Sequence, residues 1–342
     1  MKESKLGYKL RVVKNASFKK FLGVVDKASE LSGNSKLYTF FDILKSMRKY
    51  GAGYFDYIIF QFWELDDDKR DTYLTRFRSK KLIRHMNNPD YSHIFDDKAE
   101  FNEVFKDYIG REFLDIDVAS EDEIRKFFEK RTKIFAKARD NSCGIGLEKL
   151  NTSDFDNFEE FMAYIKKKNF ATLEDVIENH PDLAKVYPDS ANCMRMITMI
   201  GDDGKPHLIY AVQKFGINGR VVDNYGVHGP LDLETGEFLY PAHSGDTKAE
   251  GLYYEHPNSH EKLVGFKTPL FKEAKEMVLN AAMVVPELRY IGWDVAVTPN
   301  GPAIIEGNNY CAHDFWQLPG QRENDMGIIP EILKIVPSFE YK

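Results

Sequence analysis

Residues 290–309 read YIGWDVAVTPNGPAIIEGNN. Two apolar runs flank Pro299-Asn300-Gly301, a turn signal that predicts an antiparallel hairpin. With the turn centred on Asn300, Thr298 faces Pro302 and Asp294 faces Glu306. Directly opposed residues hold their Cβ atoms about 4.5–5.5 Å apart. Asn308, two residues beyond Glu306, shares its face. Two carboxylates and an amide oxygen therefore converge among apolar neighbours. Opposed like charges destabilise a sheet, and burying them unpaired costs several kcal/mol. A hard divalent cation resolves both problems, and oxygen-only ligands favour Mg²⁺ or Mn²⁺ over zinc. The other reading is an edge hairpin whose acids point into water.

Upstream of the hairpin, a helix is expected over 270–285. The region from Cys193 is strand-rich, with apolar runs at Met194–Ile200, His207–Phe215 and Arg220–Asp223 between Gly- and Asp-rich turns. Arg195 lies inside the first of these runs, and a buried guanidinium needs an anionic partner. That partner is either a structural acid or a transferred phosphoryl group. Further back, Phe101, Val104, Phe105 and Tyr108 mark a helix, and Ser120 with Glu123 three residues on predicts a capping box. A strand over Thr132–Ala138, a helix over Asp156–Lys168 and a strand over Phe170–Ile177 follow. The class is α+β with antiparallel strands. A doubly wound dinucleotide fold is disfavoured, because βα units do not alternate.

Lys137 ends a strand and leads into Asn141-Ser142-Cys143-Gly144-Ile145-Gly146. Glycines let backbone N–H groups approach phosphate oxygens, and small polar neighbours add donors. The pattern is neither GxGxxG nor GxxxxGK[ST]. An ordinary turn beside a solvated lysine would read the same way. Lys98, in Asp96-Asp97-Lys98, is a second candidate for neutralising phosphate, although taken alone it is a surface residue.

Residues 1–92 read as a helical region. Leu37, Phe40, Phe41, Ile43, Leu44 and Met47 form a helical stripe that Gly51 and Gly53 break, and Asp66, Asp67 and Asp68 mark another helix start. Tyr54–Trp63 (YFDYIIFQFW) is the longest apolar stretch, too short to span a bilayer and best read as a buried helix. The net charge of −7 over 342 residues argues against a nucleic-acid or anionic-membrane surface. The three cysteines, Cys143, Cys193 and Cys311, have no metal or disulfide spacing, which suits a reducing cytoplasm. No secretory leader is expected over Met1–Lys20.

Taken together, these pieces resemble the ATP-grasp superfamily, and within it the sugar-transfer-associated branch of bacterial polysaccharide loci. The carrying segments are DDKAEF (96–101), IFAKARDNSCGIGLEKL (134–150), LEDVIENHPDLAKVYPDSANCMRMITM (173–199), GRVVDNYGVHGPLDLETGEF (219–238), HPNSHEKLVGFKTP (256–269) and the hairpin itself. Lys137-Ala138 departs from the usual Lys-Pro, and Val227-His228-Gly229-Pro230 replaces a Gly-Gly-Ile-like element. The resemblance implies two α+β lobes sandwiching ATP, a small one over 93–175 and a larger antiparallel-sheet lobe over 176–342 with the metal site. It implies that Lys98 and Lys137 grip the phosphates while Ser142, Cys143, Gly144 and Gly146 close over them. Glu174-Asp175-Val176-Ile177 would be the adenine hinge. Asp294, Glu306 and Asn308 would hold Mg²⁺, and Arg195 would steady the transferring phosphoryl group. Asp223 and Asn224 match signature positions without an assigned role.

The implied activity is ATP-dependent carboxylate–amine ligation through an acyl phosphate, releasing ADP. Its substrates would be a small-molecule or glycan carboxylate and an amine, in surface polysaccharide biosynthesis. The expected setting is cytoplasmic, at the inner face of the membrane beside glycan-assembly proteins. His228, His256 and His313 are candidate bases for the amine, each equally readable as a structural histidine. A peptide ligase, a small-molecule kinase and a non-catalytic ATP-binding scaffold remain as alternatives.

Overall fold

The computed structural model describes residues 18–138, 146–220, 223, 226–245 and 251–342. Two compact units emerge: Met86–Cys311, and Met1–His85 together with Ala312–Lys342. The C-terminal segment thus belongs with the N-terminal helices, not with the sheets.

The first of these units holds two antiparallel sheets. Strands β1 (Phe113–Asp115), β2 (Lys133–Lys137), β3 (Leu147–Asn151) and β4 (Thr172–Asp175) form one, in the order β1-β4-β2-β3. Strands β5 (Met194–Ile200), β6 (Pro206–Phe215), β7 (Val227–Pro230), β8 (His243–Ser244), β9 (Tyr290–Thr298) and β10 (Gly301–Asn308) form the other, in the order β10-β9-β5-β6-β7-β8. The strand expected at Arg220–Asp223 is not found where described: Arg220 and Asp223 lie outside any strand, and β7 begins four residues later at Val227.

Alternation along each strand separates an apolar face from a polar one. In the six-stranded sheet, Met194, Met196, Ala211, Trp293, Val295 and Ile304 pack with Ala274, Val278 and Ala281 of helix Phe271–Ala282. In the four-stranded sheet, Ile134, Ala136 and Leu173 pack with Phe158, Phe161 and Ile165 of helix Phe158–Lys168 and with Ile124 and Phe127 of helix Glu121–Glu129. That last helix starts on the expected capping box, with Ser120 accepting from the Glu123 N–H and Glu123 accepting from the Ser120 N–H. The opposite faces of both sheets carry the charged residues described below.

The hairpin of β9 and β10 departs from the expected turn. Thr298 pairs with Gly301, not Pro302, because the loop is the two-residue Pro299-Asn300. A bulge between Ile304 and Glu306 then shifts the register by one residue, so Glu306 still lies opposite Asp294 and Asn308 opposite Gly292.

In the other unit, helix Phe18–Ser32 packs on helix Lys36–Tyr50. The latter ends at Gly51 in the left-handed conformation (φ 62°), as its position after the apolar stripe suggested. Asp66 caps a further short helix. The stripe divides between two faces: Ile43 is buried and Phe40 and Met47 pack against the same core beside buried Thr39, Asp42 and Ser46, while Leu37, Phe41 and Leu44 are exposed. The polar interior is satisfied at its charged centre. Arg70 forks onto Asp42 at 2.7 and 2.9 Å, and the Tyr57 hydroxyl donates to the same carboxylate. Within Tyr54–Trp63, Tyr57, Phe60 and Phe62 are buried and Phe55 is exposed.

Candidate functional site

Pairing across the six-stranded sheet lines up one row of ionisable side chains. Glu306 opposes Asp294 and Asp294 opposes Arg195. Lys214 stands two residues from Val212, the partner of Arg195, and Lys214 opposes His228, which opposes His243. Opposed residues share a face, so this row forms one polar ridge.

Asp294 is the anionic centre of the ridge. Arg195 reaches it with two bonds, Nε to Oδ1 at 2.6 Å and Nη2 to Oδ2 at 2.9 Å, and Lys214 Nζ lies 3.3 Å from Oδ1. Burial alone would raise the Asp294 carboxyl, but Arg195 and Lys214 outweigh it and hold it at about 2. Burial likewise opposes the charge on Arg195 and on Lys214. Asp294 raises Arg195 above its ordinary value, and Asp223 with Asp294 raises Lys214. Asp223 ties the row down, accepting from Lys214 Nζ at 3.2 Å and from the Cys193 N–H at 3.0 Å. The partner of Arg195 is therefore an acid of the same fold, one of the two readings its sequence left open. His228 is driven down to about 3 by burial, then by His243 and Lys214.

Glu306 stands apart from this pairing. It is exposed, and Asn308 Nδ2 donates to its Oε1 at 3.2 Å. Its charge favours the protonated forms of both Arg195 and Lys137.

The polar face of the four-stranded sheet carries a second cluster. Glu174 is buried and accepts from Lys137 Nζ at 2.6 Å, Arg111 Nε at 2.6 Å and Asn102 Nδ2 at 3.1 Å. Burial pushes the Glu174 carboxyl up, and Arg111 and Lys137 overcome it to hold it at about 2. Burial lowers Lys137, against the opposing pull of Glu174. Arg111 also reaches the other sheet: Nη1 donates to the Ile304 carbonyl at 2.7 Å and Nη2 to the Ile305 carbonyl at 3.2 Å. One guanidinium thus spans Glu174 and the bulge that sets Glu306 in register. The Ile304 N–H donates to the Tyr108 carbonyl, so the outer edge of β10 is covered.

Lys98 opens helix Lys98–Val104, capped by Asp97, which accepts from the Ala99 and Glu100 N–H groups. Asn102 of that helix touches Glu174. The Asp175 side chain is engaged by Arg131 at 2.5 Å and by the Glu112 N–H. Val176 and Ile177 follow β4 as irregular chain. Gly146 (φ 70°) opens the approach to β3 and accepts from the Ala138 N–H. Ser142, Cys143 and Gly144 lie outside the described residues, as does Asn224.

The structure therefore places Lys137 and Glu174 on the polar face of one sheet and Asp294, Glu306, Asn308 and Arg195 on that of the other, with Arg111 linking the two. It adds Arg111, Asn102 and Lys214, which the sequence did not single out. Lys214 carried the same signal as Arg195, a cation within an apolar strand run. Among the described residues, no three His, Cys, Asp or Glu side chains converge to hold a metal. Asp294, Glu306 and Asn308 offer oxygens of the type a hard cation takes, with both Asp294 oxygens engaged by Arg195 and Lys214 and Glu306 exposed beside Asn308. His256 Nε2 donates to the Gly216 carbonyl at 2.8 Å, and His313 Nε2 lies 3.0 Å from Asp56 Oδ1.

A family described as sugar-transfer associated ATP-grasp matches residues 77–331. No curated protein matches the chain. Among solved structures, D-alanine-D-alanine ligase from Coxiella burnetii matches at 12% identity and a TM-score of 0.39, covering 72% of this chain and 54% of that one. ATP-grasp ligase PsnB, complexed with minimal precursor, Mg and ADP, matches at 14% identity and 0.41, covering 73% and 60%. N5-carboxyaminoimidazole synthetase from Staphylococcus aureus, complexed with ADP, matches at 11% identity and 0.39, covering 65% and 46%. The chain thus spans less than two thirds of each of these proteins.

Proposed function

This chain belongs to the sugar-transfer associated ATP-grasp family, and from that premise we propose that it is an ATP-dependent carboxylate–amine ligase. The observation that carries the reading is the opposition of Asp294 and Glu306, with Asn308 on the same face and Lys137 within electrostatic reach of Glu306.

In this reading Lys98, Lys137, Gly146 and the loop Ser142–Gly144 hold the phosphates of ATP. The segment Glu174-Asp175-Val176-Ile177 lies along the adenine and meets it through backbone groups. Asp294, Glu306 and Asn308 hold Mg²⁺ or Mn²⁺, which when bound would neutralise phosphate charge. Charge balance supports a metal that arrives with the nucleotide. Arg195 and Lys214 share Asp294 and Asp223, and Lys137 and Arg111 share Glu174. The positive charge left over at Glu174 is matched by Glu306, which acts on both Lys137 and Arg195, so four cations face four acids and additional positive charge must accompany a triphosphate.

The substrate carboxylate attacks the γ-phosphorus and ADP leaves, giving an acyl phosphate. The amine then attacks the acyl carbon, phosphate leaves and the amine proton is lost to base. Arg195, fixed by two bonds to Asp294, sits preorganised beside the charge that develops. Fitting substrates are a uronic-acid carboxylate of a glycan or its precursor and an amino acid, joined in the cytoplasm at the inner face of the membrane.

The test is ADP release and amide formation from ATP, Mg²⁺, amino acids and uronic-acid acceptors. Glu306→Gln is expected to abolish ADP release while leaving the fold intact. Absence of amide from every pair, with ATP binding intact, overturns the ligase reading. A phosphorylated product stable to hydroxylamine would make the protein a kinase instead.

A further inference from the structure

Helix Lys36–Tyr50 carries apolar side chains on two faces. Phe40, Ile43, Met47 and Tyr50 pack inward with Thr39, Asp42 and Ser46, and Leu37, Phe41 and Leu44, at i, i+4 and i+7, are presented to solvent. Leu37 is 70% exposed and Phe41 59%. The outward apolar face continues onto neighbouring helices: Phe18 and Leu22 of helix Phe18–Ser32, and Phe55 of helix Tyr54–Ile59, are also exposed. Ring contacts make the patch continuous. Phe18 meets Phe21 at 6.2 Å, Phe21 meets Phe40 at 5.4 Å and Phe40 meets Phe41 at 5.4 Å. A branch runs from Phe21 to Tyr54 at 6.1 Å and from Tyr54 to Phe55 at 4.7 Å. A contiguous exposed patch of this kind marks an interaction surface.

The charge around it selects the partner. Residues 18–50 hold seven Lys and Arg against three Asp and Glu, a net of +4, whereas the whole chain carries −7, which leaves −11 on the remainder. The overall charge that spoke against an anionic surface is thus an average over two opposite parts. Lys19, Lys20 and Arg48 are exposed on the helices that carry the patch.

We propose that this aromatic, lysine-flanked face of the helical unit docks on an anionic lipid bilayer. Among the described residues no helix is long and apolar enough to cross a membrane, so the contact is interfacial. Aromatic and aliphatic side chains enter the headgroup boundary while basic residues meet anionic headgroups. Lysine is depleted at protein–protein interfaces, which disfavours a protein occupant. A second copy of the chain would bring the exposed Lys19, Lys20 and Arg48 of one face toward those of the other. The proposal gives a surface to the membrane setting suggested above, and it does not depend on the ligase chemistry.

The test is flotation of the full chain with neutral phosphatidylcholine vesicles and with vesicles containing about 30 mol % phosphatidylglycerol. The protein is expected to float with the anionic vesicles only, and to be released at about 0.5 M salt. Phe41→Asp and the double substitution Lys19→Glu/Lys20→Glu are each expected to weaken binding about tenfold or more. All three positions are exposed, so unchanged unfolding curves would confirm intact folds. Failure to float with anionic vesicles, or equal binding by Phe41→Asp, overturns the proposal. A dimer that Phe41→Asp abolishes, without vesicle binding, assigns the face to a second copy. ADP release measured on the same variants separates the two readings: Phe41→Asp should keep it while losing the vesicles.

Discussion

The guanidinium of Arg111 lies 2.6 Å from the carboxylate of Glu174, and both side chains are almost wholly buried. The same guanidinium donates to the carbonyls of Ile304 and Ile305 at the β10 bulge. Two sheets are joined through one side chain, at the point that sets which way Glu306 faces. Arg111→Ala removes a counter-ion from Glu174 and the donors from two carbonyls. A loss of about 3–5 kcal/mol is expected in urea unfolding. Arg111→Lys keeps the charge but not the planar fork, and should recover only part of that loss. A change below about 0.5 kcal/mol on Arg111→Ala would contradict the bridging role.

Asp294 and Glu306 face each other but answer to different demands. Asp294→Asn deprives Arg195 and Lys214 of a shared counter-ion inside the sheet, at an expected cost of about 3–5 kcal/mol. Glu306 is exposed, and Glu306→Gln should change stability by no more than about 0.5 kcal/mol. Urea unfolding of the two proteins side by side checks the contrast. Equal effects would mean that the two acids form one structural pair.

Acidification should destabilise the fold in two stages. His228 is held at about 3 against an ordinary 6.5, chiefly by burial. Between those values the unfolded chain binds the extra proton, so stability falls as pH drops through that window, by up to about 1.36 kcal/mol per pH unit. Glu174 and Asp294 are held at about 2 against ordinary values of 4.5 and 3.8. Their contribution is present above those ordinary values and is lost as pH falls from them through about 2. His228→Phe should flatten the slope of unfolding free energy between about pH 6.5 and 5 and leave the lower stage in place. An unchanged slope there would show that His228 is charged in the folded protein.

Much of this site was legible in the sequence because strand periodicity is rigid. Asp294, Glu306 and Asn308 sit on one face as expected, and Ser120 with Glu123 forms the capping box its spacing promised. The route to the acid pair differed: the tighter turn and the bulge each shift pairing by one, and the shifts cancel. Arg111 gave no local sign, because its meaning lies in carbonyls nearly two hundred positions away in sequence. The outward turn of Leu37, Phe41 and Leu44 was hidden for a related reason. The stripe is wider than one face: Phe40, Ile43 and Met47 pack inward on the side where Arg70 meets Asp42, and Leu37, Phe41 and Leu44 fall outside it. Nor did the sequence mark where Ala312–Lys342 rejoins the helical unit, since that association is made by distant partners such as Leu74 and Gln317.

The cancelling shifts in the β9–β10 hairpin have a consequence for recognising kindred chains. Opposition of the two acids is protected by parity, not by a fixed count of intervening residues. A homologue with a longer loop and no bulge, or with both features altered together, would keep the same facing at the same or a different separation. Deleting Ile305 would remove the bulge and leave Glu306 opposite Asp294, whereas a one-residue deletion in the stretch from Ala303 to the bulge, with the bulge kept, would slip Glu306 out of that pairing. A sequence pattern built on the twelve-residue interval between Asp294 and Glu306 would accept the hairpin with one more loop residue and no bulge, and would pass over the one that keeps the short loop and loses the bulge, although both acids still face each other in it.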